Sequence, residues 1–449
     1  MSKSLIFIKE IGFKGCKFQI YDKMVMKFTR KEQKTMKNLV GAAILGQSGG
    51  PTSVINASAA GVFIEALKQP NITAVYGAKH GVKGILNEEF YDINKEDLKE
   101  LELLKNTPSS MIGSVRYKLK PLKKDPSDYQ RLLEVFRKYN IRYFFYNGGN
   151  DSMDTCNKIS KFFKSEGYDC NVIGVPKTID NDLFGTDHTP GYGSAAKYVA
   201  TTLMELYHDA TVYDTPMVTV VEVMGRNAGW LTAAAQLAVA KGQGPDLIYL
   251  PEVAFDYDEF YASVAEVVKR KGKAIVVVSE GIKDKDGKYV PEHYTSLSKD
   301  SFGHAQLGGT AQILADHIKE QLNVKVRAIE FSLLQRCAAH LASKNDVKEA
   351  YMAGVKAVRA AVKGSTDKMV GFERVSSNPY KIKYKLVSLA KAANTEKVVP
   401  AEWILPNGKG LTQEYVDYAL PLIQGDDKAP LVDGLPRFAN LKKILVEKK

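Results

Sequence analysis

Two aspartates follow a Lys-Thr pair in residues 175–183, which read Val-Pro-Lys-Thr-Ile-Asp-Asn-Asp-Leu. One of the two carboxylates, Asp180 or Asp182, could accept a proton while the other holds a substrate group or a metal ion. Lys177 provides a mobile positive charge that suits a phosphate. The alternative is a polar turn with two solvated aspartates, because Asp and Asn are common in turns. This segment alone leaves both interpretations open.

Four other polar segments have residue types that could bind anions. Residues 46–53 read Gly-Gln-Ser-Gly-Gly-Pro-Thr-Ser, and residues 147–154 read Asn-Gly-Gly-Asn-Asp-Ser-Met-Asp; each lies between an apolar run and a helical pattern. Glycines let backbone N–H groups turn toward a ligand, and a helix N-terminus adds about half a positive charge. Residues 109–116 and 224–230 contain one arginine each, and Arg226 is placed to bind a phosphate. The alternatives are a tight strand–helix turn for the first segment and an ordinary helix cap for the second.

Strand-like and helix-like segments alternate from residue 39 to residue 329, which predicts a doubly wound α/β fold. The apolar run at 171–175 is typical of a buried parallel strand and leads directly into the aspartate segment. Open α/β sheets bind ligands at the carboxyl ends of their strands, so we expect the polar segments to converge on one phosphate-binding cleft. After residue 336 the pattern is helical or irregular, with a short strand expected near residues 369–372.

Composition and charge argue against a disulfide-bonded, a zinc-binding, a membrane-spanning and a nucleic-acid-binding protein. The chain has 449 residues and four widely spaced cysteines, which indicates a reducing compartment without disulfides or a zinc site. No apolar run approaches the length of a membrane span, so we expect a cytoplasmic protein without a membrane partner. Residues 1–35 carry half of the net charge of +12. We interpret them as a basic N-terminal extension that is either not native or poorly ordered, and we expect no nucleic-acid partner.

Four motifs in this order resemble the phosphofructokinase family. They are Gly-Gln-Ser-Gly-Gly-Pro at 46–51, Gly-Gly-Asn-Asp-Ser at 148–152, Pro-Lys-Thr-Ile-Asp-Asn-Asp at 176–182 and Met-Gly-Arg at 224–226. Each motif is weak alone, but the combination is specific, and the chain looks most like the pyrophosphate-dependent branch of the family. The resemblance implies reversible phosphoryl transfer from pyrophosphate to the 1-hydroxyl of fructose 6-phosphate, a step of glycolysis, with Mg²⁺ as cofactor.

The resemblance also implies an architecture and an assembly. We expect two Rossmann-like lobes with mostly parallel sheets flanked by helices, and an active site in the cleft between them. Residues 36–191 with about 335–395 would form the phosphoryl-donor lobe, and residues 192–334 with about 396–449 the sugar-phosphate lobe. A homodimer or homotetramer is expected. The alternatives are an ATP-dependent 6-phosphofructokinase and a catalytically weak regulatory subunit of the same fold.

Site residues follow from the resemblance, position by position. Asp180 matches the catalytic base, and an ordinary pKa would leave it ionised at neutral pH. Lys177 and Arg226 are expected to assist catalysis by stabilising negative charge. The implied pyrophosphate-binding residues are Gly46, Gly49, Gly50, Gly149, Asp151 and Lys177. The implied sugar-phosphate-binding residues are Thr178, Asp182, Met224, Gly225, Arg226, Glu280, Arg327 and Arg336.

Two positions determine the expected donor. ATP-dependent relatives carry glycine where this chain has Asp151 and Lys177. A carboxylate at position 151 would repel the α-phosphate of ATP. Two unit charges about 4 Å apart interact by roughly 4 kcal/mol at an effective dielectric near 20, which corresponds to about a thousandfold preference for pyrophosphate over ATP. The ammonium of Lys177 would compensate the charge of the compact pyrophosphate. We therefore expect pyrophosphate as the donor.

Three positions depart from the family pattern. Asn150 stands where the family usually has a magnesium-binding aspartate; asparagine keeps an oxygen ligand and loses the charge. We expect Asn150 and Asp180 as candidate Mg²⁺ ligands, with most of the ion's waters retained. Met217 and Leu333 replace an arginine and a histidine that many relatives have. We therefore expect the phosphate pocket at the subunit boundary to be built differently here.

Overall fold

The computed structural model describes residues 39–294, 307–393 and 395–449. The interpretation of residues 1–35 as a basic extension lies outside these residues. The strands, in chain order, are β1 (Gly41–Ser48), β2 (Ile72–Ala78), β3 (Phe90–Asp92), β4 (Ser114–Val115), β5 (Ile141–Gly148), β6 (Asn171–Pro176), β7 (Met217–Val223), β8 (Leu247–Tyr249), β9 (Lys273–Ser279), β10 (Lys325–Glu330), β11 (Lys368–Ser377), β12 (Tyr380–Ser388), β13 (Leu431–Val432) and β14 (Leu435–Pro436).

Helices alternate with these strands. The α-helices are Ile55–Ala66, Gly81–Leu86, Leu98–Leu103, Ser127–Lys138, Asn150–Ser165, Tyr192–Thr211, Trp230–Ala233, Ala235–Val239, Tyr257–Lys271, Thr310–Leu322, Leu334–Cys337, Lys344–Val362, Leu389–Ala392 and Gln413–Ala419. Short 3-10 helices are Ile93–Lys95, Leu104–Asn106, Val290–His293, Ala339–Leu341, Ala401–Trp403 and Leu420–Ile423. In the described parts of the chain, none of the helices has the length and apolar character needed to cross a membrane.

The strands form two main sheets. The larger has eight strands in the order β12-β11-β6-β5-β1-β2-β3, with β4 beside β1. Its pairs are parallel except β2–β3 and β11–β12. The smaller sheet is parallel throughout, in the order β10-β7-β9-β8. The prediction of mostly parallel α/β sheets flanked by helices is confirmed, whereas the lobe boundaries stay a prediction.

Alternating side chains of β1 contact helices on opposite faces of the larger sheet. Ala43 and Leu45 pack with the helices Ile55–Ala66 and Lys344–Val362. Ala42 and Ile44 face the other way, into a cluster that includes the helices Ser127–Lys138 and Asn150–Ser165. Because successive side chains of a strand point to opposite faces, both faces of the sheet are buried. The carboxyl ends of its central strands are therefore held rigidly.

The smaller sheet is covered in the same way. Val220 and Val276 pack with the helices Tyr257–Lys271 and Thr310–Leu322. On the opposite face, Val221 and Val277 belong to a cluster with the helix Tyr192–Thr211. The carboxyl ends of β7 and β9 are fixed by these two layers.

A long hairpin, β11–β12, corrects the prediction for the region after residue 336. The sequence predicted only a short strand near 369–372, whereas β11 covers ten residues and pairs antiparallel with the nine residues of β12. Exposed Lys381 and Lys383 alternate with the half-buried Ile382 and Tyr384 in β12. This alternation is typical of an edge strand protected by lysines, and it was present in the sequence.

The end of the chain lies against the larger sheet. Residues 442–446 run along β3, where the N–H of Val446 donates to the carbonyl of Phe90 over 2.8 Å. The carboxylate of Glu96 accepts two more backbone N–H groups of this segment. These contacts depend on tertiary pairing and leave no local periodicity, so the sequence pattern did not reveal them.

Candidate active site

A cleft of about 580 Å³ lies at the carboxyl ends of strands from both sheets. Loops after β1, β5 and β6 line one side, and loops after β7, β9 and β10 line the other, as expected for α/β sheets. The predicted site residues that line it are Gly49, Gly50, Gly149, Asn150, Asp151, Lys177, Thr178, Asp180, Asp182, Met224, Arg226, Glu280 and Arg336.

Three predicted site residues lie outside this lining. Gly46 is inside β1, where a Cβ would clash with a tyrosine ring of β5, so packing requires the glycine. Gly225 is adjacent to the cleft, and its N–H donates to Glu280 over 3.2 Å. Arg327 is on β10 with its side chain 44% exposed and 3.7 Å from Asp209. The assignment of Arg327 to the sugar phosphate stays a prediction.

Three cations meet at the glycine loop after β1. The Nζ atom of Lys177 donates to the carbonyl of Gly50 over 2.6 Å. A Cβ on Gly50 would lie 3.0 Å from a guanidinium nitrogen of Arg336 and 3.8 Å from one of Arg116. Gly49 turns the chain at φ +76°, which favours glycine. Burial, helped by the charges of Arg116 and Arg336, lowers the pKa of Lys177 to about 7, although the nearby carboxylate of Asp180 opposes this shift.

The guanidinium of Arg336 adjoins the predicted donor loop. Its assignment to the sugar phosphate, which the resemblance implies, stays a prediction. Burial and the neighbouring Arg116 lower the pKa of Arg336. A shared anion between the two arginines would relieve their repulsion.

The helix Asn150–Ser165 begins at the cleft, next to the cationic pocket. Gly149 precedes its first residue, and residues 149–152 all line the cleft. The N–H of Lys177 donates to the carbonyl of Gly148 over 3.1 Å, which ties the loops after β5 and β6 together. The positive end of the helix dipole therefore faces the same space as Lys177. Asp151 places its carboxylate in the first turn of this helix.

The aspartate loop after β6 is shaped by its own polar groups. The N–H of Asp180 donates to the hydroxyl of Thr178 over 3.0 Å, and this hydroxyl lies 3.3 Å from the carboxylate of Asp180. Asn181 has a φ of +55°, which Asn tolerates better than most residues. Its amide donates to Tyr418 over 2.8 Å and accepts from the N–H of Thr189 over 3.0 Å. These hydrogen bonds hold Asn181 in place, and its two neighbours, Asp180 and Asp182, line the cleft.

Burial makes the carboxylates of the cleft stronger bases. It raises the pKa of Asp180 above its ordinary value, in contrast to the ordinary pKa expected from the sequence. Burial, helped by the charges of Asp180 and Glu396, raises the pKa of Asp182 to about 7. Burial also raises the pKa of Glu280. Crowded, dehydrated carboxylates hold protons more tightly, which suits proton transfer near neutral pH.

Two buried oxygens are placed to accept a cation. The amide nitrogen of Asn150 donates to Oδ2 of Asp182 over 2.8 Å, and Oδ1 of each residue has no hydrogen-bond partner among the described residues. The described ranges contain no group of three His, Cys, Asp or Glu residues that could hold a metal ion. Mg²⁺ is usually held by one or two protein oxygens together with substrate phosphates and water, so this pair fits such an ion.

The opposite wall of the cleft belongs to the smaller sheet. Among the hydrogen bonds of the loop after β7, Met224 N–H donates to Gln335 over 3.3 Å, and Gly225 N–H donates to Glu280 over 3.2 Å. Arg226 lines the cleft, and its buried Nε–H has no acceptor within the described residues. An unpaired guanidinium nitrogen of this kind is available to an anionic substrate.

Some lining residues were absent from the predicted site. Arg116 was noted only as the arginine of a possible anion loop, and its position beside Gly50 extends that prediction. Asn227 and Glu396 line the cleft and are joined by a 3.2 Å hydrogen bond. Asn227 follows the Met-Gly-Arg motif and could have been proposed from it. Glu396 belongs to no motif, so the sequence did not indicate that its side chain lines the cleft.

Comparisons with known proteins agree on one family. The phosphofructokinase sequence model matches residues 42–361. The chain is 45% identical to the pyrophosphate–fructose 6-phosphate 1-phosphotransferase of Halomonas elongata over 91% of this chain and 97% of that protein. It is 47% identical to the protein of the same name from Xanthomonas campestris over 91% and 98% of the two chains.

Solved structures give the same result. The pyrophosphate-dependent phosphofructokinase of Marinobacter aquaeolei superposes with a TM-score of 0.82 at 40% identity, covering 91% of this chain and 98% of that chain. The corresponding structure from Nitrosospira multiformis has a TM-score of 0.82 at 42% identity, with the same coverage. Both structures therefore share the fold of this chain over most of its length.

Proposed function

The chain belongs to the phosphofructokinase family, and we propose that it transfers a phosphoryl group from pyrophosphate to the 1-hydroxyl of fructose 6-phosphate. The products are fructose 1,6-bisphosphate and phosphate, and the reaction is reversible. The observation that carries this proposal is the arrangement of the cleft. Lys177, Arg116 and Arg336 surround the Gly49–Gly50 loop, and Asp180 lies on the neighbouring loop.

Pyrophosphate is proposed to bind at this cationic pocket. The backbone of Gly49 and Gly50 and the N-terminus of the helix Asn150–Ser165 supply N–H groups, and Lys177 supplies charge. The carboxylate of Asp151 stands at the same helix N-terminus, where an additional nucleotide phosphate would have to pass. Repulsion of that phosphate supports pyrophosphate over ATP as the donor.

Asp180 is proposed to act as the general base. The sugar 1-hydroxyl attacks the transferring phosphorus while its proton passes to the Asp180 carboxylate, and phosphate leaves with the bonding electrons. Thr178 orients this carboxylate through the contacts already described. Arg226, on the opposite wall, would stabilise the charge on the transferring group. Phosphoryl transfer depends mainly on such positioning and electrostatics.

Mg²⁺ is the proposed cofactor. Oδ1 of Asn150 and Oδ1 of Asp182 would hold it, and it would neutralise charge on phosphate oxygens when bound. Asp180, the other predicted ligand, accepts a hydrogen bond from Thr178 and is assigned to proton transfer here.

The sugar is proposed to bind against the wall formed by the smaller sheet. Met224, Gly225 and Glu280 are connected there by hydrogen bonds and adjoin Arg226. Hydroxyl groups of a sugar can replace the long 3.2 Å contact between Gly225 and Glu280 with shorter hydrogen bonds. The homodimer or homotetramer and the cytoplasmic location implied by the resemblance stay predictions.

The role of Asp180 is tested by Asp180→Asn. We expect turnover to fall by about 10² to 10⁴, the usual contribution of a general base, with the KM for fructose 6-phosphate changed little. Asp154→Asn is a matched control, because Asp154 pairs with Lys158 on a helix surface and does not line the cleft. Unchanged turnover in Asp180→Asn would remove Asp180 from the role of base.

A further inference from the structure

A short segment near the C-terminus crosses between the two walls of the cleft. It comprises residues 395–399 and lies beyond residue 361, where the family match ends. The N–H of Lys397 donates to the carbonyl of Asp182 over 2.8 Å. The carbonyl of Lys397 accepts from the indole N–H of Trp230, also over 2.8 Å. Since Trp230 starts the helix that follows the Arg226 loop, one residue of this segment contacts both walls.

The ammonium group of Lys397 makes a second set of contacts with the same two walls. It donates to the carbonyl of Asp187 over 2.7 Å and lies 3.4 Å from Oδ1 of Asn181. It also lies 4.9 Å from the centre of the Trp230 ring, within the range of a cation–π interaction. Asn181 is the residue between the two aspartates of the active-site loop. The ammonium therefore connects that loop to the wall that carries Arg226.

The segment is held in place by other contacts as well. Glu396 pairs with Leu183 in an antiparallel β-bridge. The carboxylate of Glu252 accepts the N–H of Val399 over 3.0 Å and the N–H of Gly229 over 2.8 Å. These contacts use backbone groups and do not involve the ammonium of Lys397. A substitution that removes only the ammonium should therefore leave the segment in position.

We propose that Lys397 is a positioning residue for phosphoryl transfer. This proposal rests on the proposed function. Its ammonium fixes Asn181, and with it the carboxylate of Asp180, relative to the Arg226 loop on the opposite wall. The pyrophosphate pocket at Gly49–Gly50 is formed by other side chains. Loss of the ammonium should accordingly disturb the transfer step while binding of pyrophosphate is maintained.

Three variants test the proposal. Lys397→Met removes the terminal amine and keeps most of the side-chain length, and Lys397→Arg keeps hydrogen-bond donors at that end of the side chain. Lys391→Met is a control at an exposed lysine of the preceding helix. We expect Lys397→Met to lower kcat about tenfold to a hundredfold, as small displacements of reacting groups do, with both KM values within about twofold of wild type. Lys397→Arg should recover a large part of kcat, and Lys391→Met should match wild type.

A role confined to stability would give a different result. The melting temperature and the fraction of active sites, measured for each variant, separate a slower step from a smaller amount of folded enzyme. The proposal is overturned if kcat per active site is unchanged in Lys397→Met, or if the KM for pyrophosphate rises in proportion to the loss. It is also overturned if Lys397→Arg is as slow as Lys397→Met.

Hydrogen exchange provides a readout that does not require activity. We expect the backbone amides of residues 178–189 to exchange faster in Lys397→Met than in wild type, with no change near Gly50. Equal exchange in both proteins would contradict the proposal. If wild type shows no turnover with pyrophosphate, the proposed function fails, and hydrogen exchange alone then decides whether Lys397 fixes the loop.

Discussion

The buried ammonium of Lys177 leads to a prediction about proton uptake. It donates to the carbonyl of Gly50 over 2.6 Å, and burial lowers its pKa to about 7. A bound pyrophosphate would place negative charge beside it and raise the pKa again, because an opposite charge favours the charged form. Binding of pyrophosphate above pH 7 should therefore be coupled to protonation of Lys177.

The size of the effect follows from the free-state pKa of Lys177. With a pKa of about 7, the side chain is roughly 90% charged at pH 6 and roughly 90% neutral at pH 8. Binding should then take up about 0.9 proton at this group at pH 8 and about 0.1 proton at pH 6. Because binding requires the protonated form, affinity is highest below pH 7 and falls by up to about tenfold per pH unit above it.

Isothermal titration calorimetry in buffers of different ionisation enthalpy measures this uptake. Magnesium pyrophosphate is titrated into the protein without sugar, so that no turnover occurs. Lys177→Arg is the matched control, because an arginine stays charged throughout this pH range. Proton exchange by pyrophosphate itself is common to both proteins and cancels in the difference.

The reasoning is refuted if wild type and Lys177→Arg take up the same number of protons at pH 8. That result would mean that the protonation state of Lys177 does not change when pyrophosphate binds. If the larger arginine prevents binding, Lys177→Met at higher pyrophosphate concentration gives the same comparison, since methionine does not titrate.

Three further substitutions test other parts of the structure. Asp151→Gly should raise the ATP-to-pyrophosphate turnover ratio by up to about a thousandfold, and an unchanged ratio contradicts the donor argument. Burial raises the pKa of Asp182 to about 7, so this group destabilises the fold progressively as pH rises from its ordinary pKa of about 4 to pH 7, fully above pH 7, and not at all below its ordinary pKa. Asp182→Asn should therefore melt roughly 2 °C higher than wild type at pH 8, with a smaller gain at pH 5 and reduced activity. A Cβ on Gly61 would lie 2.0 Å from the carbonyl oxygen of Tyr351 in the helix Lys344–Val362. Gly61→Ala should therefore lower the free energy of unfolding by about 1–3 kcal/mol, and the melting temperature with it. An unchanged melting temperature would show that this helix and the helix Ile55–Ala66 can move apart without cost.

Much of the fold could be predicted because its main elements have strong local patterns. The apolar run at 171–175 is buried on both faces in β6, as its composition indicated. The alternation of strands and helices led to parallel sheets with their carboxyl ends at one cleft. The hairpin strand β12 was missed, although Lys381 and Lys383 alternate with half-buried side chains there. The position of residues 442–446 could not be predicted, because it depends on pairing with a distant strand.

In the candidate site, too, residues within sequence motifs could be predicted and residues placed only by tertiary contacts could not. The residues of the glycine, aspartate and arginine motifs that line the cleft could be named from the sequence, because each motif follows a strand and the strands end together. Arg336 also lines the cleft, beside Gly50, and its role toward the sugar phosphate stays a prediction. The contributions of Glu396 and Lys397 could not be predicted, since they come from a segment without a motif that reaches the cleft only through tertiary contacts. The pKa of Asp180 likewise depends on burial, which only the folded chain determines.

The most direct test of the central claim is a comparison of phosphoryl donors. Purified protein is incubated with fructose 6-phosphate and Mg²⁺, and formation of fructose 1,6-bisphosphate is measured with pyrophosphate or with ATP. The cationic pocket at Lys177 and the carboxylate of Asp151 predict turnover with pyrophosphate and little or none with ATP. Turnover mainly with ATP would contradict the donor assignment, and no turnover with either would contradict the proposed reaction.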